Sequence, residues 1–421
     1  MKIKISSLGC RLNQSEIESI STTLQNNGHE IVQGDYADIY IINSCSVTAR
    51  SERKVRQLIY QSLAKVGDSG EGRVIVTGCA SSIEDDPRII YLSNDHKYMI
   101  PQIIEHGVFD KSEMSSEMFP HRFKYDVPLK CSTNRVNLKI QDGCNNHCSY
   151  CRIPLTRGES VSKSFKSAID EFKLLLDNDF KEIILTGVNI GDYNDDYNGE
   201  SKHLADLVEE ILKLHGEFRL HLTSLDPNYA SARLLDFFKD DKMVKHLHLS
   251  LQSGSDKILK RMNRPYNCND YISVAEHLKS IDNDFNFTTD IIVGFPGETD
   301  VEFNETLSMI RQIGFSHVHT FRFSPRPGTR AAEMDGIVPE ITKTERSREI
   351  IKLYNEQKID YYRKFSGRHG IFLSEKIHRG ITTGYNEHYI PVEVNEKLPK
   401  NHFFKMEFIY NENKNVLNGN K

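Results

Sequence analysis

VNLKIQDGCNNHCSYC (136–151) decides how the rest of the chain is read. VNLKIQ alternates apolar and polar residues as a strand does, and Asp142-Gly143 turns it. Cys144, Cys148 and Cys151 then follow within eight residues. A loop this short wraps three thiolates around one inorganic cluster. Three protein thiolates on a 4Fe–4S cubane leave one iron without a protein ligand, so such a site is reactive rather than structural. The alternative is structural zinc, with His147 or a distant cysteine as the fourth ligand. Zinc sites, however, usually pair CxxC or CxxC/HxxxH elements.

Working outward, a strand-helix rhythm continues from residue 134. Strand candidates are VNLKIQ (136–141), EIILT (182–186), RLHLT (219–223), HLHLS (246–250), FTTDIIV (287–293) and HVHTFRF (317–323). Helical stretches separate them. Such repetition predicts a parallel (β/α)6 partial TIM barrel, whose chemistry belongs at the carboxyl ends of its strands. Upstream, Lys2 to Leu8, Asp38 to Asn43 and Arg73 to Thr77 read as three more strands, each followed by a cysteine: Cys10, Cys45 and Cys79. Strand ends of an open parallel α/β sheet converge on one crevice, so these three thiols predict a second metal centre. Read blandly, they are three buried small hydrophobes. Cys131 and Cys268 fit neither set and are expected to be ordinary buried residues. The tail runs GIFLSE (370–375), HYIPVEV (388–394) and FFKMEFIY (403–410) have no helix between them, which predicts a small antiparallel β-barrel. The expected α/β chain therefore divides into domains 1–125, 134–365 and 366–421, with a linker over about 107–133.

The totals agree with that division. The chain has 421 residues, 38% hydrophobic and 27% charged, which excludes a disordered protein and supplies a large core. No apolar run approaches a spanning helix and no secretory signal opens the sequence, so a cytoplasmic protein without a membrane partner is expected. A net charge of −5 leaves any polyanion to be held by local patches.

The CxxxCxxC loop resembles that of the radical S-adenosylmethionine (SAM) enzymes, in which the open iron binds SAM and an electron from the cluster cleaves it to a 5′-deoxyadenosyl radical. Over nearly its whole length the chain resembles the methylthiotransferases of that superfamily. The segments carrying the resemblance are LGCRLNQSE (8–16), INSCSVTARSERKVRQ (42–57), TGCA (77–80), KIQDGCNNHCSYCRIPLTRG (139–158), LTGVNIGDY (185–193), LHLSLQSGSDKILKRMNRPY (247–266), TDIIVGFPGET (289–299) and FRFSPRPGTRAAEM (321–334). The resemblance implies two 4Fe–4S clusters, one on Cys144, Cys148 and Cys151 and an auxiliary one on Cys10, Cys45 and Cys79. It further implies a TRAM-like RNA-binding barrel at the C-terminus. SAM-site candidates are Tyr150, Thr186, Gly187 and Asn189, with Ser250, Gln252, Asp290 and Gly294 at later strand ends; ordinary turn chemistry is the alternative for each. No side-chain acid or base is assigned, because the chemistry belongs to the clusters. Ser81-Ser82, Arg152 and the Glu-Ser-Val-Ser after Gly158 depart from the family pattern.

Among the family's branches, NSCSVTARSERKVRQ, KIQDGC and LTGVNI look like the one that modifies N6-threonylcarbamoyladenosine beside the tRNA anticodon. Sister branches act on N6-isopentenyladenosine or on an aspartate of a ribosomal protein. The implied partners are a tRNA anticodon stem-loop, an electron donor and a sulfur source, with no DNA. Arg322, Arg326 and Arg330 near the barrel mouth are candidate RNA contacts, as is the basic face of Arg50, Arg53, Lys54 and Arg56. An iron–sulfur RNA-binding module without catalysis is the rival from another class.

Overall fold

The computed structural model describes residues 1–34, 36–45, 49–66, 73–79, 86–106, 122–129 and 135–420. Cys131, Ser81, Ser82, the Arg50 side chain and most of the expected linker lie outside the described residues. Strands β1 (Lys2–Ser7), β2 (Glu30–Ile31), β3 (Ile39–Ser44), β4 (Arg73–Gly78) and β5 (Ile89–Tyr91) form one parallel sheet in the order β2-β1-β3-β4-β5. Helix α1 (Arg11–Asn26) and helix α3 (Ile100–His106) cover one face, where Ile20, Leu24 and Ile103 meet Ile3, Ile41 and Ile75. Helix α2 (Ala49–Val66) covers the other face through Val55 and Ile59 against Ile42 and Val74. With both faces covered, β3 is buried at every residue, and a continuous apolar run is what such a position selects.

The central region opens with β6 (Arg135–Lys139) and β7 (Gln141–Asp142), the latter paired antiparallel with β8 (Val161–Ser162). The short helix α4 (Ile153–Arg157) lies between β7 and β8, and α5 (Phe165–Asp177) follows. Ser164 caps α5 by accepting from the Ser167 amide at 3.2 Å. Next come β9 (Glu182–Thr186), the hairpin β10 (Asn194–Tyr197) and β11 (Glu200–His203), α6 (Leu204–Leu212), β12 (Arg219–Leu222), α7 (Ala232–Asp236), β13 (His246–His248) and α8 (Asp256–Arg261). Then α9 (Cys268–Ile281), β14 (Asn286–Val293), α10 (Asp300–Ile313), β15 (His317–Arg322) and α11 (Glu340–Arg363) complete it. Capping boxes start α9 at Asn267/Asp270 and α10 at Thr299/Glu302, and left-handed Gly314 ends α10.

The sheets β12-β9-β6 and β13-β14-β15 are all parallel, and the isolated bridges Leu220–Met243 and Leu225–Leu249 join them. Six strands thus curve into a partial barrel, with one large core between the barrel wall and its helices. Cys268 packs half-buried against that core.

At the C-terminus, β16 (Arg368–His378), β17 (Ile381–Asn386), β18 (Pro391–Val394), β19 (Phe403–Asn411) and β20 (Val416–Asn420) close a barrel in the order β16-β17-β18-β20-β19. The expectation of a wholly antiparallel barrel needs correction, because β18 and β20 pair in parallel. Five strands cannot alternate direction all the way round a closed ring, so one pair has to run the same way. Among the described residues no helix is long and apolar enough to cross a membrane.

Candidate active site

Each dispersed cysteine stands one to three residues beyond its strand, and those strands, β1, β3 and β4, are direct neighbours. The sheet order reverses between β1 and β3, which is the switch point where open α/β sheets bind ligands. Glycines permit the close approach. A Cβ on Gly9 (φ +111°) would stand 3.0 Å from the Cys45 Cβ, and one on Gly78 (φ +102°) would stand 2.3 Å from the Ser44 carbonyl oxygen. The Cys79 amide donates to that same oxygen at 3.2 Å. Asn13 ties the strand ends together, donating to the Leu8 and Ser44 carbonyls at 2.9 Å each. Cys45 and Cys79 are buried and Cys10 is exposed.

Backbone contacts from distant segments lock the loop of Cys144, Cys148 and Cys151. The Ser149 amide donates to Met262 O at 2.9 Å, the Ala331 amide to Ser149 O at 2.8 Å, and Asn263 Nδ2 to His147 O at 2.9 Å. Gly143 (φ +70°) allows the tight entry, since a Cβ there would meet Glu159 O at 1.9 Å. Burial pushes the Cys144 thiol up to about 11 and the Cys151 thiol up to about 12. A bound cation must therefore expel protons from them. Donors for the resulting thiolates are in place: the Asn146 amide to Cys144 Sγ at 3.4 Å, the Ile153 amide to Cys151 Sγ at 3.4 Å, and Arg264 Nη1 to Cys148 Sγ at 3.1 Å. In neither cysteine set do all three sulfurs lie within 4.8 Å of one another. One tetrahedral zinc would hold them about 3.8 Å apart, from its Zn–S bond of about 2.3 Å. Neither set is therefore drawn together as closely as one zinc ion would need.

A buried ion network joins the two sets. Glu16 of α1 accepts from Lys97, from Lys139 at 2.7 Å and from Arg157 at 3.0 Å, while Asp142 accepts from Lys139 at 2.7 Å and Arg157 at 2.8 Å. Arg157 Nη2 also donates to Asn13 Oδ1 at 2.6 Å. Burial opposes both carboxylates, but Arg157 and its partner lysines hold Glu16 well below the usual range and Asp142 at about 2. One end of this network begins two residues before Cys144 and the other includes the residue three beyond Cys10. The network clamps the first sheet to the partial barrel.

A cavity of about 720 Å³ is lined by Cys10, Cys45, Thr186, Gly187 and Asp290, together with lumen residues His221, His246, His248, His317 and His319. Cys79 and the three loop cysteines are not among its lining residues. The C-terminal barrel contributes Tyr385 and Tyr389, stacked at 4.6 Å. Of the remaining SAM candidates, half-buried Tyr150 packs edge-on to Phe295 at 6.4 Å. The Asn189 amide donates to Gln141 Oε1 at 2.8 Å, and its side chain lies beside the Tyr229 hydroxyl. Ser250 and Gln252 are buried, the latter at φ +66° with its amide on Asp290 O at 2.8 Å. Gly294 has an explanation within the fold: its amide donates to Glu298 at 2.6 Å, and a Cβ would strike Lys343 at 2.3 Å.

The RNA candidates divide. Arg322 and Arg330 are exposed, as are Arg53, Lys54 and Arg56 on α2. Arg326 needs correction: it is buried and its guanidinium goes to Glu52 of α2, which also lies 3.6 Å from Arg152. Sequence reading missed Asn13, Arg157 and Arg264, whose signal was only their place inside the motifs.

A thiolate loop at the head of a parallel partial barrel defines a radical SAM enzyme. The sequence profile described as the Radical SAM superfamily matches residues 138–310, and that described as Uncharacterized protein family UPF0004 matches 2–97. The threonylcarbamoyladenosine tRNA methylthiotransferase MtaB of Thermotoga maritima is 37% identical over 401 residues, covering 93% of this chain and 91% of the relative. MtaB of Bacillus subtilis is 31% identical over 438 residues, covering 96% and 94%. The tRNA-2-methylthio-N(6)-dimethylallyladenosine synthase of Ehrlichia canis is 31% identical, covering 86% and 85%. The chain belongs to the radical SAM tRNA methylthiotransferase family. Among solved structures, the radical SAM methyltransferase TsrM from Kitasatospora setae superposes with a TM-score of 0.55 at 12% identity, covering 79% of this chain and 75% of TsrM. That likeness concerns the fold alone.

Proposed function

We propose that this protein methylthiolates C2 of N6-threonylcarbamoyladenosine next to the tRNA anticodon, giving 2-methylthio-N6-threonylcarbamoyladenosine. The observation that carries this reading is the shared cavity: two of the three dispersed thiols open onto the same space as Thr186 and Gly187 at the end of β9 and Asp290 within β14. In this reading Cys144, Cys148 and Cys151 hold the SAM-cleaving 4Fe–4S cluster, and Cys10, Cys45 and Cys79 hold an auxiliary one. When bound, the clusters supply the electron that cleaves SAM and the site that carries sulfur.

This chain's residues do the rest. Amide donors and Arg264 steady the loop thiolates, and the ion network around Glu16 fixes the distance between the two sets. Thr186, Gly187 and Asp290 of the cavity wall take SAM, with Tyr150, Asn189, Ser250 and Gln252 assigned to its site behind them. Arg322 and Arg330, with the α2 basic face and the C-terminal barrel, take RNA phosphate. The division into an auxiliary-cluster domain (1–125), a radical SAM domain (134–365) and an RNA-binding domain (366–421) follows from these roles, as does a cytoplasmic setting with an electron donor and a sulfur source.

Nucleoside mass spectrometry of tRNA from cells lacking the protein tests the substrate. Loss of the methylthio form of threonylcarbamoyladenosine is expected. Loss of the dimethylallyl form instead, or an unmodified ribosomal aspartate with intact tRNA, would replace the substrate by that of a sister branch.

A further inference from the structure

Arg11 follows Cys10 directly and lines the cavity. Its Nη2 donates to Tyr389 Oη at 3.0 Å, and its guanidinium carbon lies 5.9 Å from that ring's centroid. Arg135 Nη1 donates to the same phenol oxygen at 2.7 Å. Two guanidinium N–H groups thus occupy the two lone pairs of Tyr389 Oη, so its own O–H is left to donate. Among the described residues no carboxylate pairs with Arg11. Nearby acids are committed elsewhere: Glu182 lies 3.4 Å from His221, and Asp290 lies 3.4 Å from His248. Burial depresses His221, His246 and His319; Glu182 and Asp290 oppose this at His221 and His319, and Arg11 adds to it at all three, so these rings favour the neutral form. A fixed cation whose own hydrogen-bond partner is a neutral phenol, with Asp290 of the same cavity held on His248 rather than on Arg11, is a receptor for an anion.

The N6 substituents at issue differ in that respect. A dimethylallyl group is an apolar hydrocarbon with nothing to offer a guanidinium. A threonylcarbamoyl group carries a carboxylate. We propose that the Arg11 guanidinium and the Tyr389 hydroxyl bind the carboxylate of the threonylcarbamoyl group and thereby select this nucleoside over its apolar counterpart. The proposal rests on the threonylcarbamoyladenosine reading above and names the residues that would enforce it. Arg135, which also pairs with Glu375 at 3.1 Å and stacks on Tyr385 at 4.4 Å, is the positioning residue behind Tyr389.

The test uses the cluster-loaded full chain and three anticodon stem-loops. These carry threonylcarbamoyladenosine, its carboxamide analogue in which the carboxylate is neutral, or dimethylallyladenosine. Wild type is expected to bind the carboxylate RNA on the order of 10–100-fold more tightly than the carboxamide, as for a hydrogen bond to a charged group. Arg11→Met should bring that ratio near one, weakening the carboxylate RNA far more than the carboxamide RNA, and Arg11→Lys should restore part of it. Tyr389→Phe, 378 residues away from Arg11 in sequence, should lower the ratio several-fold and serves if Arg11→Met loads iron poorly. Equal weakening of both RNAs by Arg11→Met would overturn the assignment. So would an unchanged ratio, a loss confined to SAM binding measured without RNA, or loss of the ratio on replacing the other lumen cation, Lys358→Met. Preference of wild type for the dimethylallyl RNA would instead refute the substrate reading itself.

Discussion

Cys144, Cys148 and Cys151 are held by one turn of chain, whereas Cys10, Cys45 and Cys79 meet only because β1, β3 and β4 pair side by side. The loop's geometry is local, pinned by a few amide donors. The dispersed set depends on sheet register, on glycines that let neighbouring strand ends touch, and on a clamp to the next domain. The first site should therefore survive defects that abolish the second.

The largest expected effect separates the two. Replacing Cys144, Cys148 and Cys151 by Ala should lower the iron content of anaerobically reconstituted protein from about eight to about four per chain. It should also reduce 5′-deoxyadenosine formation to background, and persistence of that product would refute the assignment of the loop. Replacing Cys10, Cys45 and Cys79 by Ala should remove the other irons and all methylthio product, while SAM cleavage stays detectable. A non-catalytic iron–sulfur module would cleave no SAM in any form.

Next in size is the clamp. Glu16→Gln leaves Arg157, Lys139 and Lys97 buried around a neutral group, and breaking such a network costs about 3–5 kcal/mol. Urea unfolding followed by tryptophan-independent signals, far-UV circular dichroism for example, should show the first sheet destabilised. The same network carries a pH dependence. Folded Asp142 titrates at about 2 rather than 3.8, and Glu16 lies well below 4.5, so their stabilisation is complete above the ordinary carboxylate range. It is lost as pH falls from about 4 through about 2. A wild-type melting temperature that is flat over that range would contradict the charged network. Last is Gly78→Ala, where a strained φ costs about 1–3 kcal/mol and the clash of the new Cβ with the Ser44 backbone adds to it. Iron content should fall at the dispersed set alone, sharpening the contrast with the loop.

Both periodicities and spacings were legible in the chain. Alternating apolar runs marked the six barrel strands within a residue or two, and C-x3-C-x2-C named its own chemistry because all its ligands lie in one loop. The Gly-Cys or Ser-Cys steps after three strands pointed to a second site. The strands Ile89–Tyr91 and Ile381–Asn386 escaped notice, since a run stabilised chiefly by pairing has little signal of its own. Arg326 looked like an RNA contact until the fold buried it on Glu52. What the residues determined alone was the class of cofactor and the order of secondary structure, because these depend on neighbours along the chain. Tertiary structure decided which strands adjoin, that Arg11 meets a phenol and, among the described residues, no carboxylate, and which arginines face solvent. Those properties depend on groups 30 to 378 residues apart, and only packing sets such distances.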